Sequence, residues 1–174
     1  MMLKHKYLIF VFAVLFPAVV SAGPADFKKA AGYYSRKEYQ KAFDIYEGEA
    51  KEVKDHSVKS EIYYWMGQCC LGMQKGEKAR MFFELSMDIY PNSGMAVLSQ
   101  AGIGDSYFTD KDYRKALNVY TWVYNMNPKC EISSTLLFMI SECFRNLGEK
   151  SNAEAYVKML KKNYPKSPEA MIAR

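Results

Sequence analysis

The cysteines and histidines are the side chains of this chain that could do redox, metal or nucleophilic chemistry. Beyond the N-terminal segment they are Cys69, Cys70, Cys130, Cys143 and His56. Zinc sites need closely spaced pairs of cysteine or histidine ligands, and this spacing does not provide them. A cysteine or serine nucleophile needs a base beside it, and a single histidine leaves no recognisable arrangement. These residues therefore predict no metal and no cofactor.

The glycine and acidic residues give no stronger signal for catalysis. Gly102-Ile103-Gly104 lies in a stretch that predicts a helix, so its glycines are interpreted as packing positions rather than a phosphate-binding loop. Asp110 and Asp112 lie in a short polar segment typical of a turn, where carboxylates are usually solvated. The sequence therefore predicts a protein that is not an enzyme.

The strongest pattern in the chain is a repeat with a period of 37 residues. Three copies share an apolar–small pair, an alanine, a bulky apolar residue and a proline. They are Met66-Gly67, Ala79, Phe83 and Pro91; Ile103-Gly104, Ala116, Tyr120 and Pro128; and Ile140-Ser141, Ala153, Val157 and Pro165. A fixed period of this size is typical of stacked supersecondary units rather than of one globular core.

Each copy is predicted to be a helix–turn–helix pair. In the middle copy, apolar residues recur at helical spacing over 97–108 and again over 113–124, and the residues between are polar. Pro128 ends the second helix because proline cannot donate the next backbone hydrogen bond. The small side chains of Gly104 and Ala116 are expected to let the two helices cross closely.

These positions resemble the tetratricopeptide repeat, and the resemblance extends over nearly all of the chain beyond its first residues. The middle copy carries it on Gly104, Tyr107, Tyr113, Ala116, Tyr120 and Pro128, and a weaker first copy on Ala30, Tyr33, Tyr39, Ala42 and Tyr46. The resemblance implies an all-α, right-handed α-solenoid of about four units. The units are expected at about 23–56, 60–93, 97–130 and 134–167, with a short C-terminal capping helix at 168–174.

The period is three residues longer than the usual 34 of that repeat. The extra residues, such as 94–96, precede the first helix of a unit, so longer first helices are expected. In the C-terminal cap, Ser167 is the predicted N-cap, and Pro168 suits the first helical position. Met171 and Ile172 are expected to cover the last unit.

The N-terminus has the pattern of an export signal. Lys4 and Lys6 precede an apolar run over residues 7–20, and small residues follow, which predicts a signal peptide at 1–22 cleaved after Ala22. The run is shorter than the roughly 20 residues of a membrane-spanning helix, although an uncleaved membrane tether is the alternative. The expected location is the periplasm of a Gram-negative envelope. The linking segments also resemble those of Tol–Pal-associated and outer-membrane-assembly repeat proteins.

The repeat geometry argues against disulfide bonds. Cys69 and Cys143 occupy the same repeat position two units apart, which separates them by roughly 20 Å at the usual helix spacing. A disulfide needs Cα atoms within about 7 Å. Cys130 and Cys143 are also expected to lie roughly 20 Å apart along a mostly helical segment. Cys69 and Cys70 are adjacent on one helix, where a bridge would break the helix, so all four cysteines are expected to be unpaired. The basic cluster of Lys158, Lys161, Lys162 and Lys166 is interpreted as a solvated helix end. The formal net charge of +5 gives no indication of nucleic-acid binding.

The resemblance implies that first helices line a concave groove. The groove residues it implies are Tyr64, Gln68, Leu71, Ala101, Asp105, Phe108, Phe138, Glu142 and Arg145, and Phe27 and Tyr34 would extend the groove into the first unit. Such an aromatic stripe suits an extended peptide or an amphipathic helix, although aromatic residues at helical spacing also build cores. The expected function is a non-catalytic envelope adaptor that binds a protein or peptide partner. The alternative is a scaffold that self-assembles through its C-terminal edge.

Overall fold

The structure is a computed structural model that describes residues 25–173, and these residues form α-helices without a β-strand. The helices are α1 Ala25–Ser35, α2 Tyr39–Glu52, α3 His56–Gly72, α4 Gly76–Ile89, α5 Gly94–Thr109, α6 Tyr113–Met126, α7 Ser133–Asn146, α8 Lys150–Asn163 and α9 Pro168–Ile172. The predicted signal peptide and Arg174 lie outside the described residues.

The helices form four antiparallel pairs that stack in chain order. Each helix from α1 to α8 packs on the next, and α3 also packs directly on α5, the first helix of the following pair. We call the face formed by the first helices α1, α3, α5 and α7 the inner face. The face formed by α2, α4, α6 and α8 is the outer face. The predicted all-α solenoid of helix pairs is confirmed.

Glycine positions allow the helices to cross at close range. A Cβ atom built on Gly67 would lie 2.6 Å from the Phe83 ring, and one built on Gly102 would lie 2.6 Å from the same ring. In the next unit a Cβ atom on Gly104 would meet the Tyr120 ring at 2.6 Å. Contacts this short are sterically forbidden, so each ring occupies the space of a missing side chain.

In the fourth unit, different residues form the equivalent helix crossing. Ser141 stands at the position of Gly104, and the smaller Val157 stands at the position of Tyr120. Both are buried, and the Ser141 hydroxyl donates to the Phe138 carbonyl at 2.7 Å. A larger residue on the first helix is thus accompanied by a smaller one on the second, which keeps the crossing filled.

The turn inside each unit has one conformation in all four copies. A residue with positive φ recurs at the same repeat position: Lys37, Gln74, Lys111 and Gly148, with φ of 63°, 60°, 64° and 80°. Its N–H donates to the carbonyl three residues earlier, and the next N–H donates to the carbonyl five residues earlier. This is the Schellman pattern of helix C-termini, which favours glycine at the left-handed position. Only the fourth unit has glycine there.

The expected longer first helices occur in two of the four units. Helices α3 and α5 contain 17 and 16 residues, whereas each of the four second helices contains 14. Helix α7 contains only 14 residues, because residues 128–132 fold into turns before it starts at Ser133. The prediction is confirmed for units two and three and is wrong for unit four.

The capping helix α9 begins as predicted but buries different residues. The Ser167 side chain accepts a hydrogen bond from the N–H of Ala170, which confirms the N-cap. The expectation that Met171 and Ile172 cover the last unit is wrong, because 73% of Met171 and 38% of Ile172 are exposed. Glu169 is instead fully buried and accepts a hydrogen bond from the Thr135 hydroxyl at 2.8 Å. The rotation of this short helix was not predictable from its composition.

All four cysteines are free thiols. Cys69, Cys70 and Cys143 are buried, and Cys130 is half-buried. Burial disfavours the thiolate and raises the pKa of the Cys69, Cys70 and Cys143 thiols. These three residues therefore act as small apolar core residues.

The left-handed turn position gives a test of backbone strain. We expect Lys111→Gly to raise the free energy of unfolding by roughly 0.5–1 kcal/mol, because a side chain at positive φ is strained. Gly148→Ala should lower it by about 1 kcal/mol for the same reason. Chemical denaturation monitored by circular dichroism measures both changes.

Gly48 in α2 provides the matched control. A Cβ atom added at Gly48 or at Gly148 meets no atom within 4 Å, but only Gly148 has positive φ. Gly48→Ala should therefore stabilise the protein by roughly 1 kcal/mol through helix propensity. If both alanine substitutions changed stability in the same direction, the turn would not impose strain.

Candidate functional site

The inner face carries three columns of side chains, each repeated every 37 residues. Residues 64, 68 and 71 lie four and three positions apart, so they share one face of α3, and their equivalents share the same face of α5 and α7. The deep column is Phe27, Tyr64, Ala101 and Phe138. The central column is Gln68, Asp105 and Glu142. The rim column is Tyr34, Leu71, Phe108 and Arg145.

The deep column is buried in every unit, Phe27 included. The Tyr64 ring lies 5.5 Å from that of Trp65 and 5.8 Å from that of Phe83, between centroids. These side chains therefore pack within the protein and present little surface to a partner. A direct partner contact by Tyr64, Ala101 or Phe138 remains a prediction.

The central column changes from buried to partly exposed along the stack. Gln68 is buried and its amide donates to the Tyr64 hydroxyl at 3.1 Å. Asp105 is buried as well, with 6% of its surface exposed. Glu142 is half-buried and forms an ion pair with Arg145 at 3.2 Å. Of this column, Glu142 is the member that offers accessible charge.

The rim column is half-buried in all four units. Tyr34 lies edge-on to Tyr39 and to Trp65, with both centroid distances 5.4 Å, so its position is held by packing. The Phe108 ring packs edge-on against Tyr113 at 5.1 Å. Side chains that are both held and partly exposed suit a binding surface, because little conformational entropy is lost on contact.

Asp105 is the strongest electrostatic feature of the inner face. Its carboxylate accepts a hydrogen bond from the Tyr120 hydroxyl at 2.6 Å. Burial disfavours the charged form and raises the pKa of Asp105 to about 7, although the bond from Tyr120 opposes this shift. Asp105 therefore changes its charge near neutral pH.

Several neighbours respond to the Asp105 charge. Burial is the main cause of the raised pKa of Tyr64, and the charge of Asp105 raises it further. The pKa values of Tyr34 and Cys143 are raised by burial first and then by other groups that include Asp105. Asp105 is thus electrostatically linked to residues of units one, two and four.

Sequence reasoning assigned Asp105 to the groove but missed its bond with Tyr120. The available signal was the combination of an acid on the inner face of α5 with a tyrosine at the bulky position of α6. The burial of Glu169 was also missed, because an acid in the first turn of a helix usually interacts with the helix dipole in solvent. Both contacts join residues that are far apart in sequence or on different helices.

Residues 25–173 contain neither a candidate metal site nor a candidate membrane span. No group of three or more histidine, cysteine, aspartate and glutamate side chains in this region could hold a metal ion. Within the same range, no helix is long and apolar enough to cross a membrane.

Two segments of the chain match tetratricopeptide repeat family models. Residues 60–93 match one model and residues 135–167 match another. These segments cover most of units two and four. No curated protein is significantly similar in sequence.

Two solved structures share the fold at low sequence identity. PilF of Pseudomonas aeruginosa is 19% identical with a TM-score of 0.57, over 83% of this chain and 62% of the PilF chain. MamA AMB-1 is 18% identical with a TM-score of 0.57, over 84% of this chain and 75% of that chain. This chain therefore spans less than two thirds of the PilF chain. The likeness shows the all-α fold, and the two family matches identify tetratricopeptide repeats within it. Such repeats are generally non-catalytic protein–protein interaction modules.

The raised pKa of Asp105 predicts a pH dependence of stability. Between the unfolded pKa, near 3.8, and the folded pKa, about 7, the folded state binds a proton that the unfolded state has released. The free energy of unfolding should therefore fall as pH rises from 4 to 7, by up to roughly 4 kcal/mol, and then level off. Urea denaturation at a series of pH values measures this slope.

Asp105→Asn removes the charge and can still accept the hydrogen bond from Tyr120. This variant should lose the slope and be more stable than the wild type at pH 8. Asp26→Asn, at an exposed position of α1, is the control and should keep the wild-type slope. Equal slopes in all three proteins would contradict the assignment.

Proposed function

We propose that this tetratricopeptide-repeat protein is an exported adaptor of the cell envelope that binds a partner protein along its inner face. The observation that supports the proposal is the rim column, which repeats partly exposed side chains at one position of every unit. A stack of equivalent positions can contact an extended partner over several units at once.

The chemistry of the rim suits an amphipathic segment. Leu71 and Phe108 are partly exposed apolar residues on adjacent first helices, and aromatic side chains commonly supply most of the binding energy at interfaces. Glu142 and Arg145 add paired charges beside them on α7. An extended peptide or a helix with apolar residues on one side and charges at one end would complement this surface.

The envelope location is supported by the N-terminal sequence. Two lysines, an apolar run and small residues follow one another in the order of an export signal. The linking segments at 90–93 and 164–167 resemble those of Tol–Pal-associated and outer-membrane-assembly repeat proteins. We propose a periplasmic location on these grounds, with removal of residues 1–22.

Self-assembly through the C-terminal edge is the second candidate function. The observation that favours it is the exposure of Met171 and Ile172, two apolar residues adjacent in sequence on α9. Light scattering with and without residues 168–174 tests it directly. A molar mass that does not change with concentration in either form would eliminate this candidate.

Photo-crosslinking tests the adaptor proposal at single positions. A photoreactive phenylalanine analogue at position 108 or 71, introduced in cells that express the protein, should form an adduct with the partner. In the chain labelled at 71, Phe108→Ala should reduce the adduct by roughly tenfold, because it removes an aromatic anchor. The adduct is measured by gel shift and identified by mass spectrometry.

Tyr90 supplies the matched control position. It is an exposed aromatic residue in the linker after α4, away from the rim column. The same analogue at position 90 should form no adduct with that partner. Equal adducts from positions 90 and 108 would show that the rim is not the binding surface.

The proposed export predicts a defined N-terminus. Protein recovered from the periplasm of a Gram-negative host should begin at Gly23, as read by N-terminal sequencing. Ala22→Arg should block cleavage and leave the full-length chain at the membrane, because the peptidase requires a small residue there. Recovery of uncleaved wild-type protein from the membrane fraction would favour the tether instead.

A further inference from the structure

Two positions of the outer face carry a gradient of charge from unit two to unit four, whereas unit one has Glu47 and Lys51 at these positions. One outer position is occupied by Glu84 on α4, Thr121 on α6 and Lys158 on α8. A second position, one helical turn further along, is occupied by Asp88, Asn125 and Lys162, in the same order. The same two sites of the repeat are therefore acidic in unit two, neutral in unit three and basic in unit four.

These four charges are available to a partner. Glu84, Asp88, Lys158 and Lys162 are all exposed. Within residues 25–173, the ion pairs of the structure involve other side chains, so none of these four is already paired. Their charges therefore face solvent.

Exposed apolar side chains lie beside the two neutral positions of unit three. Trp122 and Met126 lie one turn apart on α6, and 55% and 63% of their surfaces are exposed. Met159 on α8 is exposed as well, at the repeat position of Trp122. Exposed tryptophan and methionine side chains with charges on either side are typical of a protein interface with a polar rim.

The order of charges matches a second copy of this chain turned end to end. A two-fold axis that runs parallel to α6 in the plane of the outer face reverses the order of the units. It leaves every residue at the same position along the direction of the helices. It therefore places Glu84 opposite Lys158 of the second copy, and Asp88 opposite Lys162. It also brings the two Trp122 side chains together near the axis.

We propose that the outer face pairs with a second copy of this chain about this two-fold axis. Four ion pairs then surround an apolar centre formed by Trp122 and Met126 of both copies. Charge complementarity selects this axis, because a two-fold axis along the stack would place Glu84 and Asp88 against the same acids of the second copy. The pairing leaves both inner faces open, so it is independent of the proposed adaptor function.

Sedimentation equilibrium of the purified protein over a range of concentrations and at two salt concentrations tests the proposal. The molar mass should rise to twice the chain mass and no further, since an isologous contact closes at two copies. High salt should weaken the association, because the ion pairs are exposed to solvent. A constant monomer mass, or growth beyond two copies, would overturn the proposal.

Charge reversal provides the decisive variants. Glu84→Lys with Asp88→Lys should weaken association by roughly tenfold or more, and so should Lys158→Glu with Lys162→Glu, because every facing pair becomes repulsive. An equimolar mixture of these two variants should restore a dimer of one copy of each. Failure of the mixture to associate would overturn the proposed pairing, because both variants carry only surface changes.

Two control variants distinguish pairing through the outer face from an effect of net charge and from association through the C-terminal edge. Lys28→Glu with Lys29→Glu, on exposed positions of α1, changes the net charge by the same amount as Lys158→Glu with Lys162→Glu and should leave association unchanged. Met171→Glu tests the C-terminal edge. Association lost in this variant but retained in both charge-reversal variants would assign self-association to that edge and reject the outer face.

Discussion

The contact of one aromatic ring with two glycines determines how units two and three of this solenoid stack. The Phe83 ring of α4 lies against Gly67 of its own unit and against Gly102 of the next unit. A side chain at either glycine would occupy the space that the ring fills. This ring therefore sets the crossing within unit two and the spacing between units two and three.

Buried polar contacts reinforce the same junction. Ser60, Ser86 and Ser99 lie on α3, α4 and α5, are fully buried and form a continuous set of hydrogen bonds of 2.8–3.1 Å. Because buried hydroxyl groups without partners are costly, these bonds favour one relative position of the three helices. The junction is thus defined by shape at Phe83 and by hydrogen bonding at the serines. On the inner face of the same region, Asp105 adds a carboxyl group whose charge depends on pH.

The close crossings also explain why the two faces differ. Deep inner residues such as Tyr64 fill the space between helices, which leaves the rim column and Glu142 as the accessible part of the inner face. The exposed residues of the outer helices do not take part in the crossings, so their charges vary between units without a packing cost. The inner face can therefore serve a partner while the outer face carries an asymmetric charge pattern of its own.

The sequence by itself determined the helix pairs, their period and their close crossings, because glycine, alanine and proline act locally and recur at fixed positions. It also placed Phe108 and Arg145 on the same column, since the repeat converts sequence spacing into spatial position. It did not determine which inner residues are buried or how the short helix α9 is rotated. Only the tertiary structure decided that Asp105 meets Tyr120 and that Glu169, rather than Met171, is buried, because burial depends on neighbouring helices that no local pattern describes.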